Sequence, residues 1–542
     1  MKPENMNFGI DFGTTNTAVS RMDGNEPVPL KFGNAQQQYD YVPSVMAIRG
    51  GARPREDYGL AAKARIGEPQ VEVYQNFKML LGEPPECVVT HWGASMSKTP
   101  EAVTRGFVAA LIRQVREEHG IQPSRVVVTV PEVWLVQNLQ TKREHVIQAF
   151  KSQGVPRVEV RSEPIAAATY YLHRFRQRKG KPFQGHLLVC DCGGGTMDFC
   201  LVGVESADGN RPRMTVLERA GNGKVNGHIG SAGVAYDQAV VERLFPELRN
   251  RDQTKFFRRV REFEQNKITH TGEVSDLLSI YRESPESADG ESLFALADGE
   301  VAVEPKHLAT VFDEIIAPDI RKAIQGLLAR IRTHGVALDR PERFRVLMVG
   351  GFSSFYLVQE AIKSAFGSKL STDQRFEDIL SLIDRALAIS KGAALLANDL
   401  AEVIDTCPAD LGVWAMDAVG TGQGPATLAP TRFPVLEKAV RIAEYRQPNW
   451  CNKSFVVQNT VDGLPIYVEP IPDKPLSLEL NGETLQSILP PGVGPGSKIE
   501  IGFSVDADLV FSVHVRDATD RGRAKTTTLG NLMASLPGLL VD

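Results

Sequence analysis

The chain has 542 residues, with 61 Lys and Arg against 66 Asp and Glu for a formal net charge of −5, and 42% of its residues are apolar. That balance excludes a broadly basic nucleic-acid surface, and the apolar share excludes a disordered or coiled-coil chain. At about 100–200 residues per domain, the length predicts three or four structural units.

Residues 7–20, NFGIDFGTTNTAVS, read as a strand, a tight Gly-Thr-Thr turn and a return strand. The turn leads into a strand, which separates it from nucleotide folds whose Gly-rich turn opens a helix. Between Glu101 and His119, apolar Val103, Phe107, Ala110, Leu111 and Val115 recur at helical spacing, and RVVVTV at 125–130 follows as a buried strand ended by Pro131. In SEPIAAATYYLHRF, Ser162 and Glu163 stand at a helix start, and Ala166 to Ala168 let another helix approach closely. Residues 187–204, LLVCDCGGGTMDFCLVGV, repeat the first unit, with Asp191 standing 180 residues after Asp11. Asp-x-Gly thus closes an apolar strand twice, which reads as an internal duplication.

Residues 284–300 are acidic and Gly/Ser-rich, and read as a surface hairpin or loop. FRVLMVGGFSS at 344–354 is a third Gly turn, between a strand and a helix over Phe355–Phe366. After Leu400 the composition shifts. AEVIDTCPAD at 401–410 reads as a linker, and the runs KSFVVQ, LPIYVEPI, SKIEIGFSV, LVFSVHVRDA and RAKTTTL predict a separate β-sandwich over 411–542. The last β-like run ends shortly before Asp542, so no helical lid is expected. The six cysteines (Cys87, Cys190, Cys192, Cys200, Cys407, Cys451) form no CxxC pair, which fits a reducing compartment and speaks against zinc. The start, MKPENMNFGIDFG, lacks a basic segment and apolar h-region, and no apolar run approaches the ~18 residues that span a bilayer. A soluble, cytoplasmic protein without nucleic-acid or membrane partners is expected.

Two glycine-threonine turns facing each other would aim backbone N–H groups at one polyphosphate from two sides. Glycine is required because a side chain blocks that approach, and Thr14, Thr15 and Thr196 add hydroxyl donors. Asp11 and Asp191 end their strands beside the turns, where carboxylates suit a magnesium ion held through its waters. A cation on the phosphate oxygens and a positioned water are the minimum for phosphoryl transfer to water. Either turn alone is an ordinary hairpin; the pair, with the third Gly turn, points to an ATPase.

In that order, IDFGTTNTAVS, VTVPEVW, SEPIAAA, VCDCGGGTMDF, VGGFSS and SKGAALLA resemble the phosphate, connecting and adenosine motifs of the seventy-kilodalton heat-shock (DnaK-type) chaperones. That family lies within the actin, sugar kinase and heat-shock ATPase superfamily. DLGVWAM and the run from SKIEIGFSV to TTTLG resemble the first and closing strands of its peptide-binding β-domain, while residues from about 417 to 450 show little similarity. The resemblance implies an α/β fold: a two-lobed, actin-like ATPase domain with duplicated ribonuclease H-like lobes over 1–400, a linker at 401–410, and a peptide-binding β-sandwich over 411–542. It implies ATP or ADP with Mg2+, unfolded or extended polypeptide clients, and co-chaperones or a nucleotide-exchange factor.

The same resemblance assigns Asp11 and Asp191 to the magnesium side, and Gly13, Thr14, Thr15, Gly193, Gly194, Gly195 and Thr196 to the phosphate loops, with Thr196 on the γ-phosphate. Lys78 and Glu163 become the pair beside the attacking water, and Asp198 a second acid next to the phosphate loop. Gly233, after Ala232 in place of the usual glycine, becomes a phosphate contact; Glu264 and Lys267 hold the ribose, and Gly350 and Gly351 form the adenosine-side turn. Taken alone, Lys78 reads as a solvated surface lysine and Glu264 with Lys267 as an exposed i,i+3 pair. Ile268, Phe352 and Ser354 depart from the family's adenine pocket, so the planar cations that flank a purine are absent and base stacking falls to Phe352 and Ile268. Pro131 matches an interdomain signalling proline, Leu139 stands where its arginine is expected with Arg143 nearby, and AEVID lacks the family's docking leucines. Val413, Met416, Phe455, Leu464 and Ile466 match the peptide groove, although alternating apolar residues of a β-sandwich are core more often than ligand site.

The leading expectation is an ATP-driven, lidless chaperone. The alternative is a nucleotide-gated scaffold for one dedicated protein partner. A kinase of a small hydroxylated substrate is third, because no extra carboxylate motif supplies its base.

Overall fold

A computed structural model describes residues 4–530 apart from 34–35, 51–53, 94–95, 133, 135–139, 207–210, 223–229, 289, 298, 332–333, 368–379, 381, 408, 420–426, 439, 461–462, 470–475, 479–483 and 507–509. Leu139, and the stretch after Gly530 on which the expectation of a missing lid rests, lie outside the described residues.

Lobe I is built on β1 (Glu4–Phe12), β2 (Asn16–Asp23) and β3 (Glu26–Pro29), a meander joined on its other side by β4 (Ile121–Val130) and β5 (Arg157–Ser162). The order is β5-β4-β1-β2-β3, with β5, β4 and β1 mutually parallel. Between β3 and β4 come the short helix α1 (Phe77–Leu80) and the long helix α2 (Pro100–His119). The Thr99 hydroxyl accepts from the Ala102 N–H at the start of α2, Pro100 takes the first helical position, and left-handed Gly120 ends it. Its Val103, Phe107, Leu111 and Val115 face are buried against the sheet, as the helical spacing predicts.

The helix α3 (Glu163–Lys179) leads into lobe II, built on β6 (Gly185–Cys192), β7 (Met197–Ser206) and β8 (Pro212–Asn222). Helices α4 (Gly233–Leu244), α5 (Gln253–Thr269) and α6 (Ala317–Ile331) follow, then β9 (Phe344–Val349), α7 (Leu382–Ala397) and the short strand β10 (Glu402–Ile404). The order β9-β6-β7-β8-β10 repeats lobe I: β6 matches β1, β7 and β8 match β2 and β3, and β9 lies parallel to β6 as β4 does to β1. The duplication read from the two Asp-x-Gly hairpins is therefore a duplication of whole sheets. The third Gly turn follows β9, and its helix starts at Tyr356. The acidic segment at 284–300 forms a hairpin of Phe294–Leu296 with Val301–Val303, which buries Phe294, Leu296 and Val303.

Helices α3 and α7 share one core with strands of both sheets, from Val127 in lobe I to Val189 and Val202 in lobe II. Their crossing explains the alanines: a Cβ on Gly392 would lie 1.7 Å from the Ala166 carbonyl oxygen, and a Cβ on Gly9 2.0 Å from the Ala394 nitrogen. The segment read as a linker does not hang loose. Glu402–Ile404 pair in parallel with Arg213–Thr215 at the edge of lobe II, using backbone bonds that ask for no leucine.

Beyond it, β11 (Asp410–Val419), β12 (Thr427–Leu436), β13 (Asn449–Val456), β14 (Ile466–Glu469), β15 (Leu476–Leu478), β16 (Lys498–Val505), β17 (Phe511–Asp517) and β18 (Ala524–Gly530) form two antiparallel sheets ordered β12-β11-β14-β15 and β13-β16-β17-β18. Their inner faces meet in one core. Three of the five residues expected to line a groove sit in that core: Val413, Leu464 and Ile466 are 2%, 4% and 0% exposed. Phe455 packs edge-on against Phe433, and Met416 alone of the five is open to solvent. Alternation along a strand marks the inward face first, in keeping with the core reading that the sequence analysis set beside the groove.

Candidate functional site

The two hairpin turns face each other across the cleft between the lobes. A Cβ on Gly194 would come 2.8 Å from the Thr15 methyl, and one on Gly195 would come 2.5 Å from the Thr14 hydroxyl. Glycine at both positions is what lets the turns approach. Each turn is held differently. The Ser44 hydroxyl donates to the Gly13 carbonyl (2.8 Å), while its N–H donates to the Thr15 carbonyl (2.8 Å). The carbonyls of Gly193, Gly194 and Gly195 instead accept from the N–H groups of Gly233 (3.2 Å), Val234 (2.8 Å) and Ser231 (2.9 Å) at the start of α4. Gly233 is the first residue of that helix, so its N-terminus and dipole lie beside the second turn. Thr14 and Thr196 are buried in their turns.

Asp11 and Asp191 end β1 and β6 at matching places in the two sheets. Burial, reinforced by the Glu163 carboxylate and opposed by the Lys78 ammonium, pushes Asp11 up to about 7. Asp191 is held well above the ordinary carboxylate range, chiefly by burial and then by the charges of Glu163, Asp198 and Asp11. Asp198, on β7, is the pairing partner directly opposite Asp191 on β6 and is fully buried. Gly350 closes the same corner: at φ +84° its missing Cβ leaves room for the Asp191 carboxylate 2.5 Å away, with Gly351 next in the turn.

Lys78 is not a surface lysine. It is 1% exposed on α1, and its Nζ donates to Glu163 Oε1 at 2.5 Å. The ammonium also lies 5.8 Å from the Phe12 ring centroid and 5.6 Å from that of Trp134, whose ring in turn faces Lys142. A buried cation is tolerable only with such a carboxylate and such rings around it. α3 places Glu163 here by starting at the cleft edge, one residue after β5 ends.

A cavity of about 460 Å³ runs outward from the turns, lined among others by Thr15, Gly193, Gly194, Gly233, Glu264, Lys267, Ile268, Gly351 and Phe352. Glu264 and Lys267 do not pair with each other. Lys267 Nζ donates to the buried Asp237 carboxylate, and Glu264 faces Lys63 of lobe I at 3.9 Å. Lys267 also lies 5.4–5.8 Å from the ring centroids of Tyr236, Phe263, Phe352 and Phe355. Phe352 is 6% exposed and stacks on Phe355 at 5.7 Å, so it forms the wall of the pocket and supports the lysine. Ile268, 59% exposed at the rim, is left as the apolar surface over that end.

The sequence reading missed Trp134, Ser44 and Asp237. Asp237 carried a usable signal: it stands four residues after Gly233 on the same helix face, one turn behind the phosphate-side N-terminus. Ser44 had none, since it bonds to a turn distant in sequence; Trp134 closes the VTVPEVW run, but nothing local marks its ring as facing Lys78.

The donor set fits a magnesium nucleotide. Asp191 Oδ2 is buried without a protein partner, and two carboxyls raised by burial are what a nearby cation relieves. Among the described residues no three His, Cys, Asp or Glu side chains cluster closely enough to hold a metal directly.

Duplicated sheets closing glycine-threonine turns over a central cleft place the chain among the two-lobed α/β proteins of the heat-shock ATPase type. A family model described as Hsp70 protein matches residues 7–421. The chaperone protein DnaK of Mycoplasmoides gallisepticum (strain R(low / passage 15 / clone 2)) is 24% identical over 538 residues, 97% of this chain and 80% of the relative. The chaperone protein DnaK of Mycoplasmopsis pulmonis (strain UAB CTIP) is 25% identical over 528 residues, 94% of this chain and 76% of the relative. The chain belongs to the Hsp70 family. Among the described residues no helix is long and apolar enough to cross a membrane.

Proposed function

We propose that this chain binds and hydrolyses Mg-ATP in the interlobe cleft and couples that cycle to holding unfolded or extended polypeptide segments, as a cytoplasmic molecular chaperone. The observation that carries the reading is the buried Lys78–Glu163 pair at the foot of two facing glycine-threonine turns. Thr14, Thr15 and Thr196 donate to phosphate oxygens, and the N-terminus of α4 adds its dipole behind the second turn. Asp11 and Asp191 would hold magnesium, which when bound would neutralise charge on the phosphates. Lys78 orients the attacking water, Glu163 fixes Lys78, and Asp198 stands as the second acid across the strand. Glu264 and Lys267 take the ribose, with Lys267 kept in place by Asp237. Co-chaperones or an exchange factor would act on this cycle.

The test is single-turnover ATP hydrolysis by the full chain, with and without a panel of unrelated peptides, beside Lys78→Ala and Thr196→Ala. Hydrolysis that both substitutions abolish and that many peptides stimulate supports the reading; wild-type protein that binds no ATP sinks it. A second reading, a nucleotide-gated scaffold for one protein partner, draws on the burial of Val413, Leu464 and Ile466 in the core rather than in a groove. Stimulation by many unrelated peptides rules it out.

A further inference from the structure

The stretch between β12 and β13 lies beyond the residues that the family model matches, and it bonds the C-terminal sheets to lobe II. The linker strand β10 has two sides. One pairs with β8, reinforced by Arg213 Nε on Glu402 (3.1 Å) and, just beyond β10, by the Thr406 hydroxyl donating to the Val216 carbonyl (2.9 Å). The residues after it are covered from the other side by Val440–Tyr445. The Cys407 N–H donates to the Val440 carbonyl (2.8 Å), the Ile442 N–H donates to the Asp405 carbonyl (2.9 Å), and Thr406 bridges Arg441 in antiparallel fashion. Ile442 and Tyr445 are buried at this contact, as are Thr406 and Cys407.

Beside the strap, Lys438 reaches into lobe II. Its Nζ donates to Glu218 Oε1 at 2.9 Å, and Glu218, on β8, is 6% exposed. The socket is prepared on both sides. Arg330 Nε on α6 and His334 Nε2 each lie 2.9 Å from the Glu218 carboxylate, while the Lys438 N–H is fixed on Asp410 Oδ1 (2.6 Å) and the Glu437 N–H on the Tyr445 hydroxyl (2.9 Å). With the lysine's backbone pinned and the acid already oriented by Arg330 and His334, only the lysine side chain is left to order on pairing.

We propose that Lys438 and the strap Val440–Tyr445 form a latch that holds the linker docked on lobe II, with Glu218 as the socket for the latch lysine. An edge strand with one unpaired side is open to other chains and to fraying; the strap caps that side just past β10, at Asp405–Cys407. The latch is made by the chain's own residues away from the cleft, and freeing the linker means giving up the Lys438–Glu218 pair and the strap's backbone bonds.

The test is amide hydrogen exchange on the full chain without nucleotide, so it stands apart from the ATPase reading. In the wild type the amides of Glu402–Ile404, Cys407 and Ile442 are expected to be protected. Lys438→Met leaves Glu218 with Arg330 and His334, so the fold survives; exchange at those amides should rise at least about tenfold while β6 is unchanged. Lys438→Arg should restore protection. Wild-type amides at 402–407 that exchange like an open chain overturn the proposal, as does a Lys438→Met protein whose exchange there matches wild type.

Discussion

The two glycine-threonine turns share a hairpin and differ in what stands behind them. The first, Gly13 to Thr15, is braced by one serine from a bend between two short strands, whereas the second, Gly193 to Thr196, hangs by three consecutive carbonyls from the start of a helix. Their glycines differ accordingly. A Cβ on Gly13 would meet its own turn, 2.2 Å from the Asn16 carbonyl oxygen, while a Cβ on Gly195 would meet the opposite turn, 2.5 Å from Thr14. The duplicated units have divided the work: one turn must be glycine to fold, the other must be glycine to close.

The largest test of that division is on the chemistry that only lobe I and its connecting helix supply. Lys78→Ala should lower kcat for ATP by about 10²-fold or more with little change in KM, measured by single-turnover hydrolysis; an equal fall in affinity would mean that Lys78 binds substrate rather than orienting water. Next, Gly13→Ala should destabilise the protein by roughly 2–3 kcal/mol in urea unfolding, because backbone has to move. Gly195→Ala should leave the unfolding midpoint nearly in place and weaken nucleotide binding by about tenfold, since the strain arises only when the lobes close. Equal melting of both variants would erase the contrast.

A pH series separates the two acids. Asp11, at about 7 in the unliganded protein, must lose its proton to meet a cation, so Mg-nucleotide affinity should fall by up to about tenfold per pH unit below 7 and level off above it, read by calorimetric titration. The sign for stability is opposite. The folded state holds that proton where the unfolded chain does not, so unliganded stability should decline as pH rises from about 4 to about 7. Trp134→Leu should cut kcat several-fold, with Trp134→Phe recovering most of it, if the ring holds the Lys78 ammonium by its face. The smallest effect belongs to Ser44→Ala: a loss of about 1 kcal/mol from one turn's support, with the second turn unaffected.

What could be read from the sequence was what repeats or punctuates. The Asp-x-Gly hairpins, the helix from Pro100 and the alanines after Glu163 each leave a local mark, and the strand order, the capped helix and the close crossing follow them. The site residues came from motif order, and the structure brings Asp11, Lys78, Glu163, Asp191 and Asp198 to one place. Partners distant in sequence left no such mark. Nothing near Lys267 announces Asp237, nothing in AEVID announces a strand, and Phe352 looks like a stacking surface until Phe355 is seen beneath it. In the C-terminal sheets, one alternating pattern serves both core and groove, and the core claimed most of it.

The crossing of α3 and α7 has a mechanical meaning. Contacts made by backbone on backbone, Gly392 on Ala166 and Gly9 on the chain at Ala394, have no side chains to compress. Such a junction lets two bodies turn but not slide, so it is a fulcrum. Gly9 lies two residues before Asp11 and Ala166 three after Glu163, which puts this tight junction beside the candidate site. The outer rim, where Lys63 faces Glu264, then travels furthest, so a small turn at the centre is enough to open the mouth.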